Sequence, residues 1–519
     1  MMKTNISMSL RDILGKEYTD AAVNAAAIVG YGNKEDLSAL ADEQVAFYPA
    51  PFAARLDEMV DKIGTQIAPA FETNVHGAPT NSFAAAYHPE SSPVFGFGWY
   101  RVGQDGRLYA VTKSEHYHVP MGHAFPGYRL IDNARALGIS NATHNNTRGY
   151  ITRLCERELV RCANGLKKNE TEKLDAILKS TEKHVLNRVI NLETGSLACE
   201  AGFKMMLSKF YKLDKTFPTP KYSGRIPVFF IMGDYDNGRL ANYHGTTTFA
   251  QTLRDMWPEL YGKYESAGAY KVVPVAINDI DDFRTKYEKY NQGEYKVAGF
   301  THEIILMNYG GIRLTPEFLH EAYEICHAGD TPVMCDEIQS CMWYEGMFLF
   351  RKYGLNPDFV VVGKGFPGGQ YPASKILLTA EMDTLNQFGA LVTNGQEELA
   401  SLSYLITMEF SEQNSAEITA VGNYYESKVR ALKDKYSDII RDIEGLELLS
   451  AIVFHDIDET SVFVKKLSAY GFDVSAQLYK AFCPPAALLK LPLIASKALI
   501  DSLIGKMELV FAEMTTAKK

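Results

Sequence analysis

Two side chains in this 519-residue sequence can do chemistry together: the carboxylate of Asp336 and the amine of Lys364. Asp336 follows the apolar run TPVMC and opens the tract Asp336-Glu337-Ile338-Gln339, while Lys364 follows DFVVVG and precedes the glycine-rich GFPGG. A lysine amine condenses with a carbonyl to give a Schiff base, and a carboxylate beside a nitrogen heterocycle keeps that nitrogen protonated. Taken singly, an Asp or a Lys after a strand is more often a solvated or capping residue. The pairing of the two at strand ends carries the reading.

Upstream, Thr194, Gly195 and Ser196 precede a helical stretch in which Leu197, Ala201 and Met205 recur every fourth position. Free backbone N–H groups and the helix dipole meet at such a start, which makes it an anion site, although a Thr-Gly-Ser turn is more commonly only a cap. An amine, a carboxylate and an anion cradle together fit pyridoxal 5'-phosphate, whose ring absorbs the electrons of a bound substrate.

The elements that must hold these residues are legible as short apolar runs. IPVFFIM, KVVPVAI, EIILM, TPVMC, DFVVV and KILLT have the length and β-branched content of buried strands. Helices alternate with several of them. The clearest is capped by Thr315, has Pro316 in its first turn, and lines one face with Phe318, Leu319, Ala322, Tyr323 and Cys326. Alternating strands and helices predict an α/β fold with a mainly parallel sheet, which binds ligands at the carboxyl ends of its strands. Residues 1–95 read as an N-terminal extension, 96–185 as a segment joining a small and a large domain, 186–395 as the large cofactor-binding domain, and 396–519 as a smaller α+β domain.

Composition narrows the partners. A hydrophobic fraction of 46% with 22% charged residues suits a globular chain, and no apolar run approaches the roughly 18 residues of a membrane span. Charges scattered through MMKTNISMSLRDILGKEYTD argue against a signal peptide and for the cytoplasm. Seven cysteines without CxxC spacing fit a reduced compartment, and a net charge of -10 gives no basic footprint for nucleic acid.

The ordered series ETGSLACEAGFKM, NYHGTT, HEIILMNYGGIRLTPEFL, CDEIQ, VVGKGFPGG and TNGQEELAS resembles class III aminotransferases of the ornithine and 4-aminobutyrate type, from about residue 95 to the end. The resemblance implies the fold type I architecture of pyridoxal-phosphate enzymes. It implies that Gly195 and Ser196 hold the phosphate, that Tyr243 and Ile338 cover the two ring faces, and that Asp336 pairs with the ring nitrogen. It further implies that Gln339 bonds the phenolic oxygen, that Glu303 supports this shell, and that Lys364 forms the Schiff base. Thr393 would reach the phosphate of a neighbouring subunit, making a homodimer, or a dimer of dimers, with shared sites. The implied reaction moves an amino group from an amine or amino acid to a keto acid or aldehyde; an aminomutase, racemase or decarboxylase on the same fold is the alternative.

The departures fall on the substrate side, assigned to His244, Thr246, Asn308 and Lys490. Thr246 stands where the family often has arginine, Asn308 where it usually has a second glutamate, and Lys490 where an arginine commonly grips a carboxylate. Lysine does not reproduce bidentate recognition by arginine. Two other motifs compete. Gly363-x-Gly365-x-x-Gly368 with Glu381 downstream is formally a dinucleotide fingerprint, but Gly369 to Ser374 is too short for a crossover helix. Glu115, His116, His118 and His123 could suggest a metal site, yet their stretch reads as loop, and the resemblance places it at the pocket entrance.

Overall fold

The computed structural model describes residues 3–86, 88–113, 118–478 and 483–518. A seven-stranded sheet forms its centre, in the order Leu186–Leu192, Ser374–Thr379, Phe359–Val362, Val333–Asp336, Tyr295–His302, Ile226–Met232, Lys271–Val275. Only Ser374–Thr379 runs against its neighbours; the other six strands are mutually parallel. Helices cover both faces, so the inner strands are apolar along their whole length: Val228 to Met232 and Phe359 to Val362 are fully buried. Pro274 sits on the edge strand, where its missing N–H costs no ladder bond.

Parallel strands place all their carboxyl ends on one rim. Four of those ends converge: Leu192 leads to Glu193, Thr194 and Gly195; His302 leads to Glu303; Asp336 closes its strand; Val362 leads to Gly363 and Lys364. The helix expected from Thr315 onward is present as Pro316–Ala328. The Thr315 hydroxyl accepts the Phe318 N–H, and the five residues read as its inner face are all buried.

The glycine-rich segment after Lys364 turns back on itself through Phe366 N–H to Gly363 carbonyl and Gly368 N–H to Gly365 carbonyl bonds. The chain therefore returns as an antiparallel strand, with no crossover helix for a dinucleotide. Glu381, the acidic residue of that reading, pairs with Lys209 at 3.0 Å.

A second, four-stranded sheet is built from Ile440–Leu446, Leu449–Phe454, Ala486–Lys490 and Ser475–Gln477. Helices Ser415–Lys435, Ile457–Ala469 and Lys497–Lys518 belong to the same C-terminal part. The N-terminal residues are knitted to the rest. Leu10, Leu14, Phe47 and Leu56 share the main hydrophobic core, and the Thr4 N–H bonds Asn414 Oδ1 at 2.7 Å. Strand Leu108–Val111 also pairs with Phe472–Asp473, where Asp473 takes ion pairs from Arg101 and Lys113.

Candidate active site

The convergent strand ends enclose a cavity of about 670 Å³, lined by Glu193 to Ser196, Tyr243, Gly245, Glu303, Asp336, Ile338, Gln339 and Lys364. His118 and the segment Gly369 to Ala373 complete the wall. Lys364 has φ 47°, a left-handed backbone that costs a non-glycine residue energy and is held here by the tight turns of the glycine-rich segment.

From Lys364 a hydrogen-bond relay leads inward. Its Nζ donates to Gln339 Oε1 at 3.1 Å, and Gln339 Nε2 donates to Glu303 Oε1 at 3.0 Å. Lysine can only donate and an ionised glutamate only accept, so the orientation of the amide between them is fixed by chemistry. Glu303 is thus tied to the residue that faces the amine.

Asp336 is anchored from three sides. Oδ1 accepts the Ile338 N–H at 3.1 Å; Oδ2 accepts from His244 Nδ1 at 2.9 Å and lies 3.5 Å from Cys199 Sγ. His302 lies beyond, with Nε2 3.0 Å from the Tyr323 hydroxyl. Burial drives the His302 pKa down to about 3, so this imidazole is neutral at physiological pH. The Cys199 thiol is pushed well above its ordinary range by burial and by the Asp336 charge, so it is a neutral thiol.

The anion cradle is shaped by close packing. Helix Gly195–Ser208 begins at Thr194, whose side chain makes no capping bond, leaving the first N–H groups for another acceptor. A Cβ on Gly195 would come within 2.3 Å of Ile338 Cδ1, and one on Gly245, at φ 114°, within 2.7 Å of Ser196 Cα. The Gly245 position therefore excludes a side chain, whereas a side chain at Gly195 would require the Ile338 side chain to move aside. Ser196 Oγ accepts the Thr246 N–H at 3.1 Å, locking this loop to the helix start. Tyr243 presents its ring to the cavity and carries the Arg254 guanidinium 4.8 Å from the ring centre.

A heterocyclic aldehyde phosphate fits this donor set: an amine, a buried carboxylate, exposed first-turn N–H groups, and an aromatic and an aliphatic side chain to flank a ring. The structure thus brings Gly195, Ser196, Tyr243, Glu303, Asp336, Ile338, Gln339 and Lys364 together. The four substrate-side positions behave differently. His244 is buried behind Asp336 and does not face substrate, because its Nδ1 is committed to the carboxylate. Lys490 is also buried: it donates to the Gln339 backbone carbonyl and lies 3.9 Å from the Trp343 ring centre, so it does not reach into the cavity to grip a carboxylate. Thr246 is exposed on the loop that bonds Ser196, and half-buried Asn308 lies outside the cavity wall.

Thr393 is exposed and does not line this chain's cavity; the next residue donates its N–H to Glu193 Oε1 at 3.3 Å. Of the motif read as a possible metal site, Glu115 and His116 lie outside the described residues, His118 lines the cavity, and half-buried His123 packs against Gly96. Sequence reading missed Cys199 and Glu193. Cys199 stands one helical turn after Gly195, and that spacing was the available signal that it lies behind the cavity beside Asp336.

Residues 100–511 match the family described as Aminotransferase class-III. Acetylornithine aminotransferase of Methanocaldococcus jannaschii is 28% identical over 283 residues, covering 52% of this chain and 65% of that protein. Ornithine aminotransferase of Emericella nidulans is 29% identical over 289 residues, covering 52% of this chain and 57% of that protein. The chain thus spans less than two thirds of the length of these relatives. Among solved structures, ornithine aminotransferase from Toxoplasma gondii superposes with a TM-score of 0.64 at 19% identity, covering 86% of this chain and all of that one. A transaminase from the marine bacterium Virgibacillus gives 0.66 at 13% identity, covering 86% and 98%. At these identities the structural likeness speaks for the fold alone.

Proposed function

This chain belongs to the class-III aminotransferase family, and we propose that it moves an amino group from an amine or amino acid to a keto acid or aldehyde, using pyridoxal 5'-phosphate held by Lys364. The observation that carries this reading is the single cavity shared by the Lys364 amine, the Asp336 carboxylate and the start of helix Gly195–Ser208. When bound, the cofactor supplies an electron sink for the substrate carbon next to the amine.

The chain's own residues supply the rest. The N–H groups of Gly195 and Ser196 bind the phosphate, and Tyr243 and Ile338 exclude water from the two ring faces. The Asp336 carboxylate, held by Ile338 and His244, keeps a proton on the ring nitrogen. Lys364 Nζ, positioned by Gln339, takes a proton from the substrate carbon and delivers it as general acid. Exposed Thr393 serves the phosphate of a second subunit, so that the working unit is a homodimer with shared sites. No helix among the described residues is long and apolar enough to cross a membrane. The buried thiols of Cys155, Cys162, Cys199, Cys326, Cys335 and Cys341 support a reducing, cytoplasmic setting.

The test is to offer the cofactor-loaded protein a panel of amines, α-amino acids and ω-amino acids without an acceptor. Release of one carbonyl product per site, with the amino group retained on the enzyme, supports transamination. Spectral change with no carbonyl product for any donor would move the chemistry to an aminomutase or racemase.

A further inference from the structure

Lys490 stands where three parts of the chain meet. It ends strand Ala486–Lys490 of the C-terminal sheet, is 1% exposed, and does not line the cavity. Its backbone N–H donates to the Thr112 carbonyl at 2.7 Å, and its side chain crosses to the turn that follows Asp336. There Nζ donates to the backbone carbonyl of Gln339, with the Trp343 ring centre 3.9 Å away. A buried lysine amine has only donors to offer, and a carbonyl and an aromatic face are partners that offset its loss of water.

The turn that Lys490 reaches is held from two sides. On the large-domain side the buried Glu337 carboxylate accepts the Leu349 N–H at 3.0 Å and the Ser340 hydroxyl at 2.9 Å, while the Glu337 carbonyl accepts the Cys341 N–H at 3.0 Å. On the C-terminal side Lys490 takes the Gln339 carbonyl. Between these two grips the Gln339 side chain lines the cavity and bridges Lys364 Nζ to Glu303 Oε1. The plain alternative is a clamp that joins the C-terminal sheet to the large domain and is indifferent to the site. Two observations favour more than that. Trp343 Nε1 donates to the Leu491 carbonyl at 3.0 Å, so the same two segments are already joined one residue along. The carbonyl that Lys490 takes, moreover, belongs to the residue whose amide reaches the Lys364 amine.

We propose that Lys490 is a positioning residue for amino transfer: its amine fixes the Gln339 backbone, and thereby the amide that stands between Lys364 and Glu303. The inference rests on Lys364 as the cofactor lysine. A backbone carbonyl gripped from behind cannot turn without breaking that bond, so the amide meets Lys364 in one geometry. A shift of about an ångström at such a point costs up to roughly a hundredfold in rate. Lys490 then serves the site whether or not a substrate is bound, and recognition of the substrate falls to other groups.

The experiment is a double-mutant cycle of Lys490→Met and Gln339→Ala, read in the dissociation constant of pyridoxal 5'-phosphate by visible absorption and in steady-state kinetics. Lys490→Met keeps the apolar stem and removes the donor. It should weaken cofactor binding about tenfold and lower kcat about tenfold or more, with KM within about twofold of wild type for donors with and without a carboxylate. In the Gln339→Ala background the same substitution should cost nothing further on either readout, because the side chain through which it acts is gone. Equal losses in the two backgrounds would reduce Lys490 to a clamp and overturn the proposal. So would unchanged cofactor affinity and kcat in Lys490→Met, or a KM raised only for carboxylate-bearing donors, which would return Lys490 to the substrate. Lys490→Gln, shorter but still an N–H donor, goes through the same cycle and decides the matter if Lys490→Met does not fold. A wild type that binds cofactor yet releases no carbonyl product from any donor would end the transamination reading, while the affinity cycle would still judge Lys490.

Discussion

Asp336 and His244 show how much one buried contact decides. The carboxylate was legible in the sequence because it closes an apolar run and is followed by Ile338 and Gln339 at fixed offsets. The position of His244 was not, because only the folded loop carries its ring behind the carboxylate. Asp336→Asn should fold and retain cofactor but turn over about a hundredfold or more slowly, since the ring nitrogen loses its ionised partner. His244→Phe preserves the ring shape and removes the hydrogen bond to Oδ2. It should lower kcat and leave KM for the amine within about twofold, because a group that touches only Asp336 contributes no ground-state substrate binding. A raised KM with intact kcat would return His244 to the substrate side. Steady-state kinetics on both variants, with cofactor content measured in parallel, separates these outcomes.

At the scale of elements, capping and periodicity carried the helix Pro316–Ala328 from sequence to structure, since Thr315, Pro316 and five inner positions all act locally. Strand direction did not travel as well. KILLT read correctly as a strand, but its antiparallel course depends on the length and turns of the preceding glycine-rich link. The strand Tyr295–His302 also contains a pH dependence that hydropathy could not reveal. His302 is buried, bonded to Tyr323, and depressed by burial to about 3 from the ordinary 6.5. A depressed pKa means the unfolded chain binds the proton more readily, so the contribution is complete above about pH 6.5 and is lost as pH falls toward 3. At pH 5 the loss should be about 2 kcal/mol. Thermal melts of His302→Phe should show a shallower decline between pH 7 and pH 5 than the wild type. Parallel declines in the two proteins would show that His302 does not set this pH dependence.

At the scale of the whole molecule, the N-terminal residues read as an extension are continuous with the main core, through Leu10, Phe47 and Leu56 and the Thr4 to Asn414 bond. Sequence showed apolar positions there but not their partner, which lies some four hundred residues away. The proposed assembly gives a test of its own. Thr393→Asp places a charge against a neighbour's phosphate, and Lys364→Ala removes the amine; each homodimer should be inactive. In a mixed dimer one site collects both defects and the other is intact. Random exchange makes about half the dimers mixed, so activity should recover to roughly a quarter of wild type by two-fold symmetry. No recovery after demonstrated exchange would put Thr393 and Lys364 in one chain's site.

If Lys364 carries the cofactor, one measurement reads it directly. The purified protein is loaded with pyridoxal 5'-phosphate, reduced with borohydride, digested, and mapped by mass spectrometry. A yellow protein that bleaches on reduction is expected, with one phosphopyridoxyl group on the peptide containing Gly363, Lys364 and Gly365, and no such label in Lys364→Ala. A label on another lysine, or a protein that stays colourless and unlabelled after reconstitution, would contradict it.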